Sequence, residues 1–304
     1  MKALALLPAF ALVGMTMACG AGGNGMGDSG ASQAPGGSDA AAPAAKKDDA
    51  LAALVPAGVK ADGKIVVGQD QTYPPNEFKD PNGKVTGFDV DIANAVGQVL
   101  GVQMEFQNST FDGIIPGIEA KKYEMGVSSF TINADRMQSI DMISYYKAGT
   151  SLAVLKGNPE KLTPDTLCGK NVAVQQGTTQ VEDLQKRTKA CTTAGKPAIN
   201  VTTFEAQTDV NLALTAKRVD AELADSPVID YAVKVTNEQL EAVGEPYDTA
   251  PYGIVLPKNS GDYGKAVEGA VQKLIDDGTY KKILEKWGLS ASGAVAKSEI
   301  NPTP

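Results

Sequence analysis

Between Lys64 and Leu289, short β-rich runs alternate with stretches whose apolar residues recur every three or four positions. The runs KIVVG (64–68), VQMEFQ (102–107) and EMGVSS (124–129) predict strands. Between them, DVDIANAVGQVLG puts Ile92, Val96, Val99 and Leu100 on one side of a helix. FDGIIPGIEAKK predicts another helix, with Pro116 in its early turns. A second series follows SLAVLKG. Its strands are NVAVQ (171–175), INVTTF (199–204) and VDAELAD (219–225), and its helices are TQVEDLQKRTK, TDVNLALTAKR and SPVIDYAVKV. PYGIVLPK (251–258) predicts one more strand, and two helical stretches follow. In the last of these Tyr280, Ile283, Leu284 and Trp287 form one apolar face, which plain core packing explains. Strand–helix–strand repeats imply a mainly parallel sheet with helices on both faces. The pattern therefore gives two α/β units, and leaves open whether the final strand and helices rejoin the first.

The ends of the chain read differently. Residues 1–18 carry Lys2, an apolar stretch and small residues, the form of a signal peptide. TMACG then resembles a bacterial lipobox, with Cys19 as the lipidated first residue of the mature chain, although Thr16 stands where Leu is usual. Residues 20–50 contain no Leu, Ile, Val, Phe, Tyr or Trp, which predicts a disordered leash. The linker is drawn as 19–61, and residues 290–304 read as a frayed tail.

Composition narrows the chemistry. The 304-residue chain has a formal charge of −8 and no Lys/Arg block, so nucleic acid is not an expected partner. Histidine is absent, which removes Ser-His-Asp and Cys-His sites and the commonest zinc ligand sets; no metal and no cofactor are expected. Cys168 and Cys191 are an even pair in an exported chain and read as a disulfide. A strand and the helix after it run antiparallel, which brings these two ends to the same side of the sheet.

Ligands of open α/β sheets bind beyond the carboxyl ends of strands, and those ends are polar here. They carry Asp70 and Tyr73 after KIVVG, and Ser128, Ser129, Thr131 and then Arg136 after GVSS. Gln175 and the turn to Thr178 and Thr179 follow NVAVQ, and Asp225 ends VDAELAD. A free amino acid suits this set. Arg136 and the helix start at Thr178–Thr179 supply donors for a carboxylate. Asp225, the Ser129 carbonyl and the Thr131 hydroxyl supply acceptors for an ammonium. Tyr73 and Phe111 would flank the side chain, with Asp70 and Gln175 as polar partners. Singly, each residue also has a plain structural reading as a helix cap, a surface arginine or a core aromatic.

The segments QDQTYPPNEF, GKVTGFDVDIANAV, FDGIIPGIEAKKYEMGVSSFT, QGTTQ, VDAELADSP, PYGIVLPK and DDGTYKKILEKWG, in this order, resemble family 3 solute-binding proteins of bacterial polar amino-acid ABC transporters. The resemblance implies a two-lobed type II periplasmic-binding fold: lobe 1 from 62–148 and 251–289, lobe 2 from 149–250, with crossovers near Lys147–Ser151 and Tyr247–Tyr252 as the hinge. It implies that the site residues named above, Phe111 included, hold the ligand. It also implies a monomeric lipoprotein on the outer face of the cell membrane that delivers a polar amino acid to permease subunits. Asn76 departs from the family pattern, where Phe is usual, and is expected to reshape the side-chain pocket. Two other readings share the fold. One is a ligand-sensing receptor domain, and the other is an enzyme like cyclohexadienyl dehydratase, against which the Arg136/Asp225 pairing argues.

Overall fold

The computed structural model describes residues 43–303. The signal peptide, Cys19 and the leash up to residue 42 lie outside the described residues. In chain order the elements are α1 (Asp49–Leu54), β1 (Lys64–Gln69), β2 (Thr72–Tyr73), β3 (Glu77–Lys79), β4 (Val85–Thr86), α2 (Phe88–Leu100), β5 (Gln103–Asn108), α3 (Phe111–Glu119) and β6 (Met125–Thr131). Then come α4 (Arg136–Ser139), β7 (Ile140–Leu155), β8 (Asn171–Gln175), α5 (Thr179–Thr193), β9 (Asn200–Phe204), α6 (Gln207–Thr215) and β10 (Ala221–Asp225). α7 (Ser226–Val235), β11 (Leu240–Pro257), α8 (Asp262–Asp276), α9 (Thr279–Trp287) and a short 3-10 turn (Ala291–Gly293) complete the set.

One eight-stranded sheet runs β5-β1-β6-β11-β7-β10-β8-β9. At one end β5, β1 and β6 are parallel, and at the other β9, β8 and β10 are parallel. The two long strands β7 and β11 run antiparallel through the middle and belong to both ends. Residues 140–148 of β7 pair with 250–257 of β11 on the β6 side, whereas Thr150–Val154 pair with β10. The final strand therefore does rejoin the first unit. Register shifts around Tyr247 and Ala250 mark where β11 passes from one lobe to the other, and such irregularities bend and twist a strand pair.

Apolar side chains fill both faces of each lobe. In lobe 1, α2, α8 and α9 cover one face through Ile65, Val67, Phe88, Ile92, Val96, Val271 and Ile283. The other face packs Phe111, Ile114, Ile118, Phe130 and Met142 under α3. Lobe 2 has its own pair of clusters, around Val210 and Ile229 on one face and Val172 and Leu184 on the other. This two-sided burial explains why β6 is buried along almost its whole length instead of alternating. The disulfide forms between Cys168, before β8, and Cys191, near the end of α5. It closes a loop of sequence separation 23, which stabilises a fold by about 3 kcal/mol in the chain-entropy account.

Two terminal segments are more ordered than their composition suggests. Residues 43–61, assigned to the linker, include α1, which Asp48 caps by accepting from the amides of Ala50 and Leu51. Val55 is buried, and Leu51 and Leu54 pack against the lobe 1 core. Of residues 290–304, read as frayed, the described part up to residue 303 instead straps across β7. Ser144 N–H donates to the Glu299 carbonyl, Ser298 Oγ donates to the Ser144 carbonyl, and Asn301 bonds to Met142 at both its backbone and its side chain. The energetic reason is the same in both cases. A few apolar side chains, Leu51, Val55, Val295 and Ile300, reach grooves that exist only once lobe 1 has folded.

Candidate functional site

Where the two lobes meet, Asp70, Tyr73, Glu77, Phe111, Ser129 and Thr131 line a narrow recess together with Arg136, Gln175, Thr178, Thr179, Gln180 and Asp225.

Each lobe contributes one end of a charge pair. Arg136 opens α4, where Asn133 Oδ1 accepts its amide at 2.8 Å. Its guanidinium donates to the carbonyls of Thr131 at 2.8 Å and of Gly177 at 3.1 Å, and lies 5.3 Å from the Phe111 ring centre and 5.4 Å from that of Phe130. Burial pulls its pKa down to about 10, so it stays charged at neutral pH. Phe111 and Phe130 stack at 4.6 Å, so Phe111 is both core and recess wall.

Asp225 ends β10 on the other lobe. Gln180 Nε2 donates to it at 2.7 Å and Tyr252 OH at 2.8 Å, while its own amide donates to the Tyr73 hydroxyl at 3.1 Å. Burial raises its pKa, and the hydrogen bonds and the Arg136 charge oppose that rise. Arg136 and Asp225 face one recess without forming an ion pair with each other. α5 begins between them. Thr178, its N-cap, spends its hydroxyl on the Gln175 carbonyl at 2.8 Å and leaves the first amides of the helix without a side-chain cap. Uncapped amides at a helix N-terminus favour an anion.

Asp70 holds the remaining side. It accepts from Thr72 N–H at 3.0 Å, from Thr72 Oγ1 at 2.7 Å and, across the lobes, from Gln175 Nε2 at 2.6 Å. Further contacts between lobes join Gln176 Nε2 to Asp112 at 2.6 Å and the Gln207 amide to Thr72 Oγ1 at 3.1 Å. The lobes are thus closed on one another.

Ten of the eleven residues proposed from sequence line the recess. Ser128 stands behind it, accepting the Asp70 amide at 3.1 Å and donating to Glu77 Oε1 at 2.7 Å. Ser129, at φ 50, turns its amide onto Asp89 Oδ2 at 2.7 Å, a backbone conformation that costs energy in a non-glycine residue. Asn76 does not itself line the recess. It is fully buried and donates to Ser129 Oγ at 2.8 Å. Two recess residues were missed from sequence. Glu77 sits in NEF with no local signal, because only the folding of β3 against β6 brings it inward. Gln180 was legible in principle, one residue beyond Thr179 in the first turn of a helix already assigned to the site.

Among the described residues no cluster of His, Cys, Asp or Glu is placed to hold a metal ion, and no helix is long and apolar enough to cross a membrane.

The sequence model described as "Bacterial extracellular solute-binding proteins, family 3" matches residues 65–290. The chain is 33% identical over 255 residues to the arginine-binding protein ArgT of Corynebacterium glutamicum, covering 84% of this chain and 83% of that protein. It is 32% identical over 231 residues to the L-cystine-binding protein TcyJ of Escherichia coli K12, covering 75% and 84%. Among solved structures, an ancestral arginine-binding protein bound to arginine matches with a TM-score of 0.69 and 36% identity, covering 74% of this chain and 98% of that one. The ancestral amino acid-binding protein AncCDT-1, described as a precursor of cyclohexadienyl dehydratase, matches with a TM-score of 0.69 and 32% identity over 76% and 97%. With the recess between two lobes and a family match running from β1 past the end of α9, the chain belongs to the family 3 bacterial extracellular solute-binding proteins.

Proposed function

We propose that this protein captures a polar amino acid, arginine foremost, by lobe closure and delivers it to the permease of an ABC importer, without chemistry on the ligand. The observation that carries the reading is the placement of Arg136 and Asp225 on opposite lobes, facing one recess and unpaired with each other. An amino acid's carboxylate and ammonium complete both and bridge the lobes, which gives the closed state the differential affinity that closure requires. Residues 62–148 with 251–289 then move as one body and 149–250 as the other. Asp70 between Tyr73 and Phe111 suits a cationic, planar side chain, and arginine-binding proteins stand among the relatives.

The test is a thermal-shift and calorimetric screen of the twenty amino acids on ligand-stripped protein. Arginine at a hundred times its dissociation constant is expected to stabilise the fold by about 2.7 kcal/mol. Asp70→Asn is expected to reorder the preferences toward neutral side chains more than it lowers the best affinity. An arginine response no larger than that of alanine rejects the reading.

The same reading makes Cys19 the lipid anchor, at the outer face of the cell membrane. Cys19→Ser should release the protein into the medium, and a variant that stays with the membrane after a salt wash speaks against a lipid tether.

A further inference from the structure

Behind the recess, Glu77 and Asp89 lie side by side, and both are fully buried. Neither forms an ion pair with a lysine or arginine among the described residues. Both reach for the same hydroxyl. Ser129 Oγ is 3.0 Å from Asp89 Oδ2 and 3.5 Å from Glu77 Oε2, and it has one proton to give. Two adjacent buried carboxylates do not both ionise.

The donors decide which one is charged. Asp89 accepts from the Ser129 amide at 2.7 Å, from Tyr145 OH at 2.8 Å and from Ser129 Oγ. Glu77 has one close donor, Ser128 Oγ at 2.7 Å. The proton therefore belongs on Glu77. In agreement, burial and then the Asp89 charge push the Glu77 carboxyl well above the ordinary range, whereas Asp89, also raised by burial, is held at about 6 by its donors.

Glu77 also lines the recess beside Asp70, and Ser128 bridges the two. We propose that Glu77 is a charge-matching specificity residue, protonated in the free protein, that releases its proton to solvent when a cationic side chain enters the recess. This rests on the arginine reading above. A cation held at Asp70 lies next to Glu77 and stabilises its ionised form, and a neutral side chain brings no such field. Other titratable groups also face Glu77. Burial raises the pKa of Asp70 against three donors and that of Asp225, across the recess, against two, and Tyr73 and Tyr145 are held neutral by burial. Arg136 supplies one fixed positive charge. The sign follows. Binding that releases a proton strengthens as pH rises and levels off once Glu77 is already ionised in the free protein.

Calorimetry of arginine binding to the wild-type protein at neutral pH, in phosphate and in Tris, reads the effect directly. The two apparent enthalpies are expected to differ by the difference between the ionisation heats of the two buffers, multiplied by a release approaching one proton per arginine. Affinity is expected to rise by up to about tenfold per pH unit below the Glu77 transition. Folded Glu77→Gln should lose the buffer dependence. If that variant does not fold, the infrared difference spectrum of the wild type serves instead, with loss of a protonated-carboxyl band on arginine binding expected. Equal heats in both buffers, a release that persists in folded Glu77→Gln, or an unchanged carboxyl band each overturn the proposal while leaving arginine binding intact. If arginine gives no heat in any buffer, the arginine reading falls, and this proposal with it.

Discussion

Arg136→Ala and Asp225→Ala are each expected to abolish measurable amino-acid binding at micromolar ligand while the ligand-free protein stays folded. Among the described residues the Arg136 guanidinium donates to carbonyls, those of Thr131 and Gly177, and lies over the Phe111 and Phe130 rings, so its charge awaits an anionic partner. Asp225 is aimed by Gln180 and Tyr252, neither of which is a cation. Removing either residue strands one ligand charge in a desolvated site, at about 2–5 kcal/mol for a buried charged pair. That converts to roughly thirtyfold to several thousandfold in affinity. Asp225→Asn is the control for shape, since it keeps the size and one of the two acceptor oxygens that Gln180 and Tyr252 use but loses the charge, and it should fail to bind as well. Near-normal calorimetric titrations of Arg136→Ala or Asp225→Ala would reject this site assignment.

The second large effect concerns Gly87. It caps α2 at φ 139 and ψ 172, a region open essentially to glycine. A Cβ there would clash with the Asn76 carbonyl oxygen. That oxygen accepts the Asp89 amide at 2.8 Å, and the neighbouring Pro75 carbonyl accepts the Phe88 amide at 3.0 Å. The junction knits the β2–β3 turn to the start of α2. Backbone strain and the clash together should make Gly87→Ala lose about 3–5 kcal/mol of stability in urea unfolding. Because Asp89 holds Ser129, ligand affinity should fall in the protein that remains folded. A variant as stable as wild type would show that the junction can relax at little cost.

The strand–helix alternation and the polar strand ends were legible because both are local. A strand end at VSS or ELAD announces itself by composition, and Arg136 follows within one short turn. The burial of Asn76 and Glu77 was not legible. Both lie in a short polar turn, and their environment is made by Ser128, Ser129 and Asp89, residues distant in sequence that the sheet order brings together. The same physics hid α1 and the strap. Their few apolar residues carry little signal alone, and what they bury against is a surface assembled from α2, α8 and β7. Pro116, expected to be tolerated inside the predicted helix, does lie within α3, which continues past it.

The strap that bonds residues 298–301 to Met142 and Ser144 has a practical use in fluorescence. Lys297 is exposed yet adjoins a segment hydrogen-bonded to the lobe 1 half of β7, so a dye there would report the position of that lobe. The exposed turn from Ala194 to Lys196 lies beyond α5 on lobe 2, next to the disulfide. Energy transfer between dyes at these two places would measure the angle between the lobes in single molecules. The recess itself, with its crowded carboxylates, would remain free of any label.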